Sequence, residues 1–368
     1  MTARYEFWLL APDADYALDY LEAPRRFTAV RALNAVGQFE LVLSGAWDYR
    51  LARLDSRLVV WRKPPDGRRY LEGAFLVRNV ERVWEDGIES VVLRGPDYND
   101  LLASRIVAYA AGSSQSVKST AADDLMRAIV RENLGSSATD TARDLTSAGF
   151  EVEADTGSAS SLDMAFAWKN VLRTLQDVAR AAWEKNGERV YFGVIPQGSG
   201  WSAKFQVRVG WWSADHRYPD GTHGALMFGP GFGNVSSLRL GLDRRREFNY
   251  VYAGGRGEED DRLIVEVEST TLLNDSSLNR REMFFDGRSY DTSDRLTSAA
   301  NARLRDGRPL RVAEATVDKP SRDYGVTWWF GGLLTVIYGR ESFDAVAHKV
   351  RLSLADGEER LQVWLEEI

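Results

Sequence analysis

The feature that most constrains this chain is a set of Asp-Gly pairs placed between short apolar runs. The run RLVVWRK leads into a turn at Pro64, Pro65 and Asp66-Gly67, and YLEGAFLVRNVERVWED ends at Asp86-Gly87 before IESVVLRGPD. Asp-Gly supplies the two positive-φ residues of a tight hairpin, so strand, turn and strand recur twice within about 40 residues. In QFELVLS, Phe39, Leu41 and Leu43 fall on one face, with Glu40 and Val42 on the other. The segment from Phe27 to Gly95 therefore reads as an antiparallel meander, a small barrel or a sandwich. Near the other end Ala345 to Leu354 alternates, Asp356-Gly357 turns, and Leu361, Val363 and Leu365 alternate again.

Between these regions the period changes. Asp97 to Ala103 predicts a short helix. Thr120 can cap AADDLMRAIVRENLG, with Asp123 and Asp124 in its first turn, Leu125, Ala128 and Ile129 as its stripe, and Gly135 at its end. AWKNVLRTLQDVARAAWEKNG is the strongest helix, with Val171, Leu172, Leu175, Val178, Ala182 and Trp183 at helical spacing and Gly187 as its stop. Two strands follow, ERVYFGVI and KFQVRVGWW. From Leu226 strands return, with one helix expected from Ser293 to Arg305. The fold class is mainly β with an α/β insertion. The boundaries expected are 1–95, a β unit with an N-terminal arm; 96–225, the α/β insertion; and 226–368, a second β unit with a small helical insertion.

The run DYGVTWWFGGLLTVIYG, Asp323 to Gly339, decides between a membrane segment, an aromatic ligand platform and a strand pair. Its apolar stretch is broken by Gly331-Gly332 and falls short of the roughly 18 residues of a membrane helix. The opening 24 residues lack a basic start followed by a long apolar core, so no signal peptide is expected. The chain has twelve tryptophans, two pairs of them adjacent, Trp211-Trp212 and Trp328-Trp329. On a strand, neighbours point to opposite faces, so one of each pair is expected in a core and the other at an interface.

The 368 residues carry a net charge of −7, which argues against coating a nucleic acid, and contain no cysteine, which removes disulfides, thiolate catalysis and Cys-based zinc sites. His216 and His223 lie near Asp215 and Asp220, but their spacing matches no metal motif and a Pro-Asp-Gly loop accounts for it. His348 reads as a packed or solvated strand residue. Lys118 lacks a serine at position 115, where Gln115 stands, so there is no S-x-x-K motif. GPGFG, Gly229 to Gly233, lacks the following helix of a phosphate cradle, and GEEDDR, Gly257 to Arg262, reads as a solvated hairpin tip. No catalytic, cofactor or metal residue is assigned, and the chain is expected not to be an enzyme.

The order of pieces is also informative. VVLRGPDYNDLLASRIV places R-G-x-D between a strand and a Leu-rich helix; AADDLMRAIVRENLG and the Ala167 helix follow; REFNYVYAGGRGEEDDR carries a double glycine; WWFGGLLTVIYG precedes two alternating strands. From about Phe27 onward this order resembles the siphophage tail-tip hub proteins, related to the baseplate hub of contractile-tailed phages and injection systems. The resemblance implies two small antiparallel β-barrels per chain and a homotrimeric ring. Such a ring adapts a six-fold tail tube to a three-fold spike or fibre assembly and conducts DNA during ejection. It implies as partners the distal tail protein or tail tube, the tape measure protein and the spike or fibre proteins. It also implies a place at the virion tail tip after synthesis in the host cytoplasm, with no specific nucleic-acid binding and no membrane-spanning segment. Gly331-Gly332 would then bend between two strands of the second barrel. Where many such hubs carry Gly-Asp, this chain has Gly331-Gly332-Leu333, so no role of that acid is implied. The alternative function is a tail-associated carbohydrate-binding or cell-wall-degrading protein. It would use exposed tryptophans or a carboxylate pair.

Overall fold

The computed structural model describes residues 3–65, 67–109, 116–138, 140–166, 168–219, 224–288, 290–318 and 323–368. Asp66 of the first turn, Gln115, Ala167, Asp220 and His223 lie outside the described residues. The fold is mainly β, with 45% strand and 20% helix.

One large sheet organises the molecule. Eight strands follow one another in the order Val235–Asp243, Leu310–Val317, Glu358–Glu367, Glu341–Ala355, Arg26–Ala32, Gln38–Ser44, Ile88–Pro96, Asn79–Glu85. Every neighbouring pair along this path is antiparallel. Two further strands attach beside the path, Leu333–Tyr338 on the first part of Glu341–Ala355 and Met227–Phe228 on Leu333–Tyr338. The two β regions read from the sequence thus meet in a single sheet. The 15-residue strand Glu341–Ala355 joins them, pairing Leu352 with Ala29 and Leu354 with Phe27. Two Asp-Gly turns set the register of the hairpins that flank this junction, Asn79–Glu85 with Ile88–Pro96 and Glu341–Ala355 with Glu358–Glu367. Asp86 and Gly87 have φ of 51° and 80°, and Asp356 and Gly357 have 52° and 77°, the two left-handed residues a type I′ hairpin needs.

None of the described sheets closes into a barrel. Closing the first region would require Arg26–Ala32 to pair with the second, four-stranded sheet, Ala17–Tyr20, Arg4–Leu10, Arg57–Lys63, Tyr70–Leu76; its free side is taken by Glu341–Ala355 instead. The N-terminal residues are no arm. Arg4–Leu10 is an interior strand, bonded on both sides. The four-stranded sheet lies over the large one and buries both of its own faces, which is why RLVVWRK is continuously apolar rather than alternating. Leu58 and Val60 join a core with Phe27, Leu41, Leu93, Ala345, Leu352 and Val363, whereas Val59 turns to the opposite side.

That opposite side carries the insertion. Helices Ala122–Leu134 and Val171–Asn186 pack with the sheet Phe150–Val152, Ser202–Val209, Val190–Gln197 and with the hairpin-like pair Ser116–Ala121 and Ser161–Phe166. Thr120 does not cap the first helix; it lies within Ser116–Ala121, paired with Leu162, and Ala121 takes the cap position. The helix stripe also turns out wider, because Met126 and Val130 are buried and Ala128 is not. Asp123, in the first turn, holds the neighbouring loop instead. Its carboxylate accepts from Thr156 Oγ1 and from the backbone N–H groups of Ser158 and Ala159. Gly187 ends the second helix with φ 68°. The Asp97 helix is shorter than expected, Asp100–Ala103, and Ser293–Asp306 matches the expected helix near the end. A small unit made of Ile264–Glu268, Tyr250–Gly254, Glu282–Asp286 and that last helix has a core of its own around Val251, Ala253, Leu296 and Ala300.

Gly95, the glycine of R-G-x-D, marks where the two main sheets cross. The strand Tyr70–Leu76 passes over its end and continues as Asn79–Glu85 in the large sheet, with Arg78 N–H donating to the Arg94 carbonyl at 3.0 Å. A Cβ at Gly95 would sit 1.8 Å from the Leu76 carbonyl oxygen. Backbone cannot yield as a side chain can, so Gly95→Ala is expected to lower unfolding free energy by about 3 kcal/mol, measured by urea denaturation. Gly87→Ala, where nothing lies within 4 Å of the added carbon, keeps more stability and loses only what its positive φ costs.

Candidate functional site

The strongest polar cluster lies where the chain's two β regions meet. Arg62 is fully buried. Its Nε donates to Glu359 Oε1 at 2.7 Å and to Tyr5 Oη at 2.9 Å, and its Nη1 to Tyr70 Oη at 2.8 Å and to the Tyr324 carbonyl at 2.6 Å. Arg31 pairs with Glu72 at 2.7 Å and also donates to the Tyr324 hydroxyl. Tyr70 Oη donates to Glu72 at 2.9 Å, and Tyr5 Oη to Glu359. Two guanidinium groups thus face two carboxylates, and three tyrosines share their remaining lone pairs. Burial, followed by the neighbouring carboxylates, pushes the Tyr5 and Tyr70 hydroxyls far above their ordinary range, so they act as donors. The cluster spans strand Arg57–Lys63, strand Glu358–Glu367 and the turn at Tyr324. Its centre, the Arg62 and Glu359 side chains, is buried, so it joins surfaces.

The tryptophan pairs divide differently. Trp328 is buried, edge-on to Phe228 and Tyr324 with ring centroids at 5.4 and 5.0 Å, while Trp329 is 38% exposed and packs on Tyr70. One enters the core and one faces out, as expected. The cause is not strand alternation, because Asp323 to Trp328 forms a compact turn with Gly325 N–H donating to the Trp328 carbonyl at 2.9 Å. The expected strand pair across Gly331-Gly332 is absent. Leu333–Tyr338 pairs forward with Glu341–Val346 instead. Trp211 and Trp212 lie beyond the end of Ser202–Val209, and both are half-buried. Trp211 carries Arg189 at 5.1 Å, and Trp212 packs flat on Gly331, where a Cβ would approach its ring within 2.6 Å. Gly331, with φ 80°, therefore serves a close approach between the insertion and the second β region.

The remaining candidates are occupied by ordinary structural contacts. Asp215 is held by Arg217 at 2.7 Å, which keeps its carboxyl below the usual range, and Arg217 also reaches Asp344 at 2.8 Å. His216 donates its backbone N–H to the Leu333 carbonyl. His348 stands at a bulge in Glu341–Ala355, and burial lowers its imidazole pKa. Lys118 pairs with Glu132 at 2.6 Å. GPGFG forms a single 3-10 turn at Pro230–Phe232, with no helix after it, and Glu259–Asp261 forms the exposed tip between Tyr250–Gly254 and Ile264–Glu268. Among the described residues no group of three or more His, Asp or Glu is arranged to hold a metal ion.

The surface that stands out is the solvent face of the large sheet. Opposite the buried row Phe27, Ala29, Leu41 and Leu93, it presents charges in register. Arg26 pairs with Glu40 at 2.7 Å, Glu40 with Arg94 at 2.8 Å, and Arg94 with Glu81 at 2.6 Å. Arg94, then Arg26, holds the Glu40 carboxyl below its ordinary range against the effect of burial. Across the other half, Arg239 lies opposite Glu314, Glu314 opposite Trp364, and Lys349 rests 4.7 Å over the Trp364 ring. Among the described residues both edges of the sheet are unpaired. Hairpin 79–89 holds four acids and one arginine, and Trp84 at its tip is 75% exposed. Segment 235–246 holds four arginines and one aspartate.

Two results follow from these environments. Replacing one partner of the Arg62–Glu359 pair leaves a buried charge, so Glu359→Gln and Arg62→Met singly should each cost about 3–5 kcal/mol in chemical denaturation. The double substitution should cost less than their sum. Asp97 supplies a pH signal. Burial pushes its carboxyl up to about 6, partly offset by the Gly37 and Asn99 backbone N–H groups and by Arg31. Its folded pKa stands above the unfolded value of about 3.9, so its contribution is full below that pH and lost as pH rises through about 6. The melting temperature of the native protein relative to Asp97→Asn should therefore fall between pH 4 and pH 7.

Similarity to known proteins agrees with this architecture. Residues 12–364 match the family model of Siphovirus ReqiPepy6 Gp37-like protein. No curated protein matches the sequence significantly. Among solved structures, a tail protein from Neisseria meningitidis MC58 superposes with a TM-score of 0.64 at 16% identity, covering 99% of this chain and 96% of that one. The 43 kDa tail protein of prophage MuSo2 from Shewanella oneidensis gives 0.63 at 11% identity, over 99% and 98%. Prophage tail protein gp18 from Listeria monocytogenes gives 0.56 at 10% identity, over 98% and 94%. At such identities the likeness is one of fold, while the family match covers nearly all of the sequence. The chain belongs to the Siphovirus ReqiPepy6 Gp37-like protein family.

Proposed function

We propose that the chain is the tail-tip, or baseplate, hub of a virion: a homotrimeric ring that adapts the six-fold tail tube to a three-fold spike or fibre assembly and conducts DNA at ejection. The observation that carries this reading is the large sheet with its two free edges. Eight strands alternate in direction along it, so its edge strands Val235–Asp243 and Asn79–Glu85 run opposite ways. Rotation about an axis along the strands preserves their direction. The edge of one copy then meets the other edge of the next as an antiparallel neighbour, and the heterologous contact closes into a ring. The edges also carry opposite charge, and the outward Trp84 and Leu242 add apolar area. Three copies give a cylinder of roughly 37 Å across at about 4.8 Å per strand, wider once the strands tilt.

Each half of the sheet with its covering layer serves as one of two barrel-like units, 1–95 and 226–368, so three chains supply six around the axis. The α/β insertion 96–225 hangs on the outside. The solvent face then lines the channel. In the row Arg26, Glu40, Arg94 and Glu81 both arginines are already paired with carboxylates, which weakens their hold on a phosphate backbone and suits DNA that must pass and not stick. The tail tube or distal tail protein, the tape measure protein and the spike or fibre would dock at the ring's two ends. No covalent chemistry is required of any residue.

The test is the mass in solution by light scattering. A trimer has three times 41.3 kDa, roughly 124 kDa. Reversing one edge with Glu81→Lys and Glu85→Lys, or the other with Arg239→Glu and Arg246→Glu, should weaken trimer formation by at least about tenfold. Combining both pairs of reversals in one chain should restore it. A combined variant no better than either parent would dismiss edge pairing. A native chain that stays monomeric at every concentration and with its tail-tube partner would dismiss the trimer itself.

A further inference from the structure

The seam between the four-stranded sheet and the insertion holds an arginine unlike the others. Arg31, Arg62 and Arg127 are each paired directly with a carboxylate. Arg57 is only 7% exposed, yet among the described residues no carboxylate is paired with it. Its guanidinium donates to three carbonyls, those of Trp201, Ala148 at 3.0 Å and Pro12 at 3.3 Å. It lies 4.3 Å over the Trp201 ring and 5.9 Å from that of Tyr98. Those bonds leave donor capacity over, since a guanidinium has five N–H groups. Burial dominates its environment and lowers its pKa. Beside it the indole Nε1–H of Trp201 is buried with no acceptor.

Both groups border one cavity of about 160 Å³. Its wall also includes the apolar side chains of Leu76, Leu101, Leu145 and Phe150, the Tyr98 ring, and Asp55, whose charge is met by Arg78 at 2.5 Å. A cavity of about 150 Å³ accommodates roughly six non-hydrogen atoms. Carbonyls, the Tyr98 hydroxyl and the more distant Asp15 and Asp55 compensate this buried cation only in part, and an unfilled indole donor adds to the cost; an oxyanion in direct contact relieves both through charge-assisted bonds. The apolar wall selects against a fully hydrated inorganic anion.

We propose that this cavity binds a carboxylate carried on a short apolar stem, with Arg57 as its charge partner and Trp201 Nε1 as a second donor. A free short-chain acid and the C-terminal carboxylate of a partner chain share this chemistry. The site is separate from the sheet edges and does not depend on the ring.

The probe is the Trp201 indole resonance in the nitrogen-15 spectrum of the full chain, identified by its loss in Trp201→Phe. Butyrate should move it saturably and raise the melting temperature, whereas neutral butyramide should do neither. Leu101→Phe narrows the cavity at a half-buried position, leaves Arg57 in place and should abolish both responses while the protein stays folded. A peptide ending in a free leucine carboxylate, compared with its amide, separates the sources. A response to the peptide and not to butyrate assigns the site to a partner's terminus, and a response to butyrate assigns it to a small acid. Silence toward both, an equal response to butyramide or to phosphate, or a response unchanged in Leu101→Phe would overturn the proposal.

Discussion

The ion pair between Arg62 and Glu359 is the joint on which the rest of this structure turns. Its partners are 297 residues apart in sequence and both are buried. Desolvating such a pair is expensive, and mutual attraction repays it only when the leftover donors and acceptors are also met. Here Tyr5, Tyr70 and the Tyr324 carbonyl take up the other guanidinium hydrogens. Directional bonds of this kind fix the offset between two sheets in a way that Leu58 and Val60, packed against Leu352 and Val363, do not, because apolar contact has no preferred register.

The insertion repeats the device on a smaller scale. Arg127 on helix Ala122–Leu134 is buried and binds Asp123 at 2.7 Å, Asp124 at 2.8 Å and Glu153 at 2.9 Å, so one side chain ties the helix to the strand before Asp155. Asp123 and Asp124 in turn hold the backbone from Thr156 to Ala159. The insertion is anchored to the sheet Arg57–Lys63 by apolar packing through Val59 and by Arg57. A strand buried on both faces is thus the wall common to two cores.

Local chemistry was readable from residues alone. The hairpins at Asp86-Gly87 and Asp356-Gly357, the helices ending at Gly135 and Gly187, and the row Phe39, Leu41, Leu43 depend on neighbours within one or two turns, and the structure has them. What was misread depends on distant partners. Arg4–Leu10 looks like an unpatterned arm because it is covered on both faces. Nothing in the sequence singles out Arg31 or Arg62, because only the tertiary fold brings them to Glu72 and Glu359. Closure of a barrel is a statement about which strand an edge meets, and the alternation of Arg26–Ala32 is equally content beside Glu341–Ala355. The tryptophan pairs follow the same rule: Trp211-Trp212 lies past a strand end and Trp328-Trp329 in a turn, where alternation does not apply.

The shared strand Glu341–Ala355 also sets the order in which this protein can be made. Its contacts with Arg26–Ala32 link residues as far as 329 positions apart, as between Arg26 and Ala355. Closing so long a loop costs entropy before any contact returns it, so folding of the large sheet is slow compared with that of the insertion, whose helices and strands are near neighbours. Until the strand arrives, the backbone of Arg26–Ala32 is an open template on a half-built sheet. A ribosome elongates at about 5–20 residues per second, which leaves that template bare for tens of seconds. The period before completion is when chaperones and neighbouring nascent chains have their best access to it.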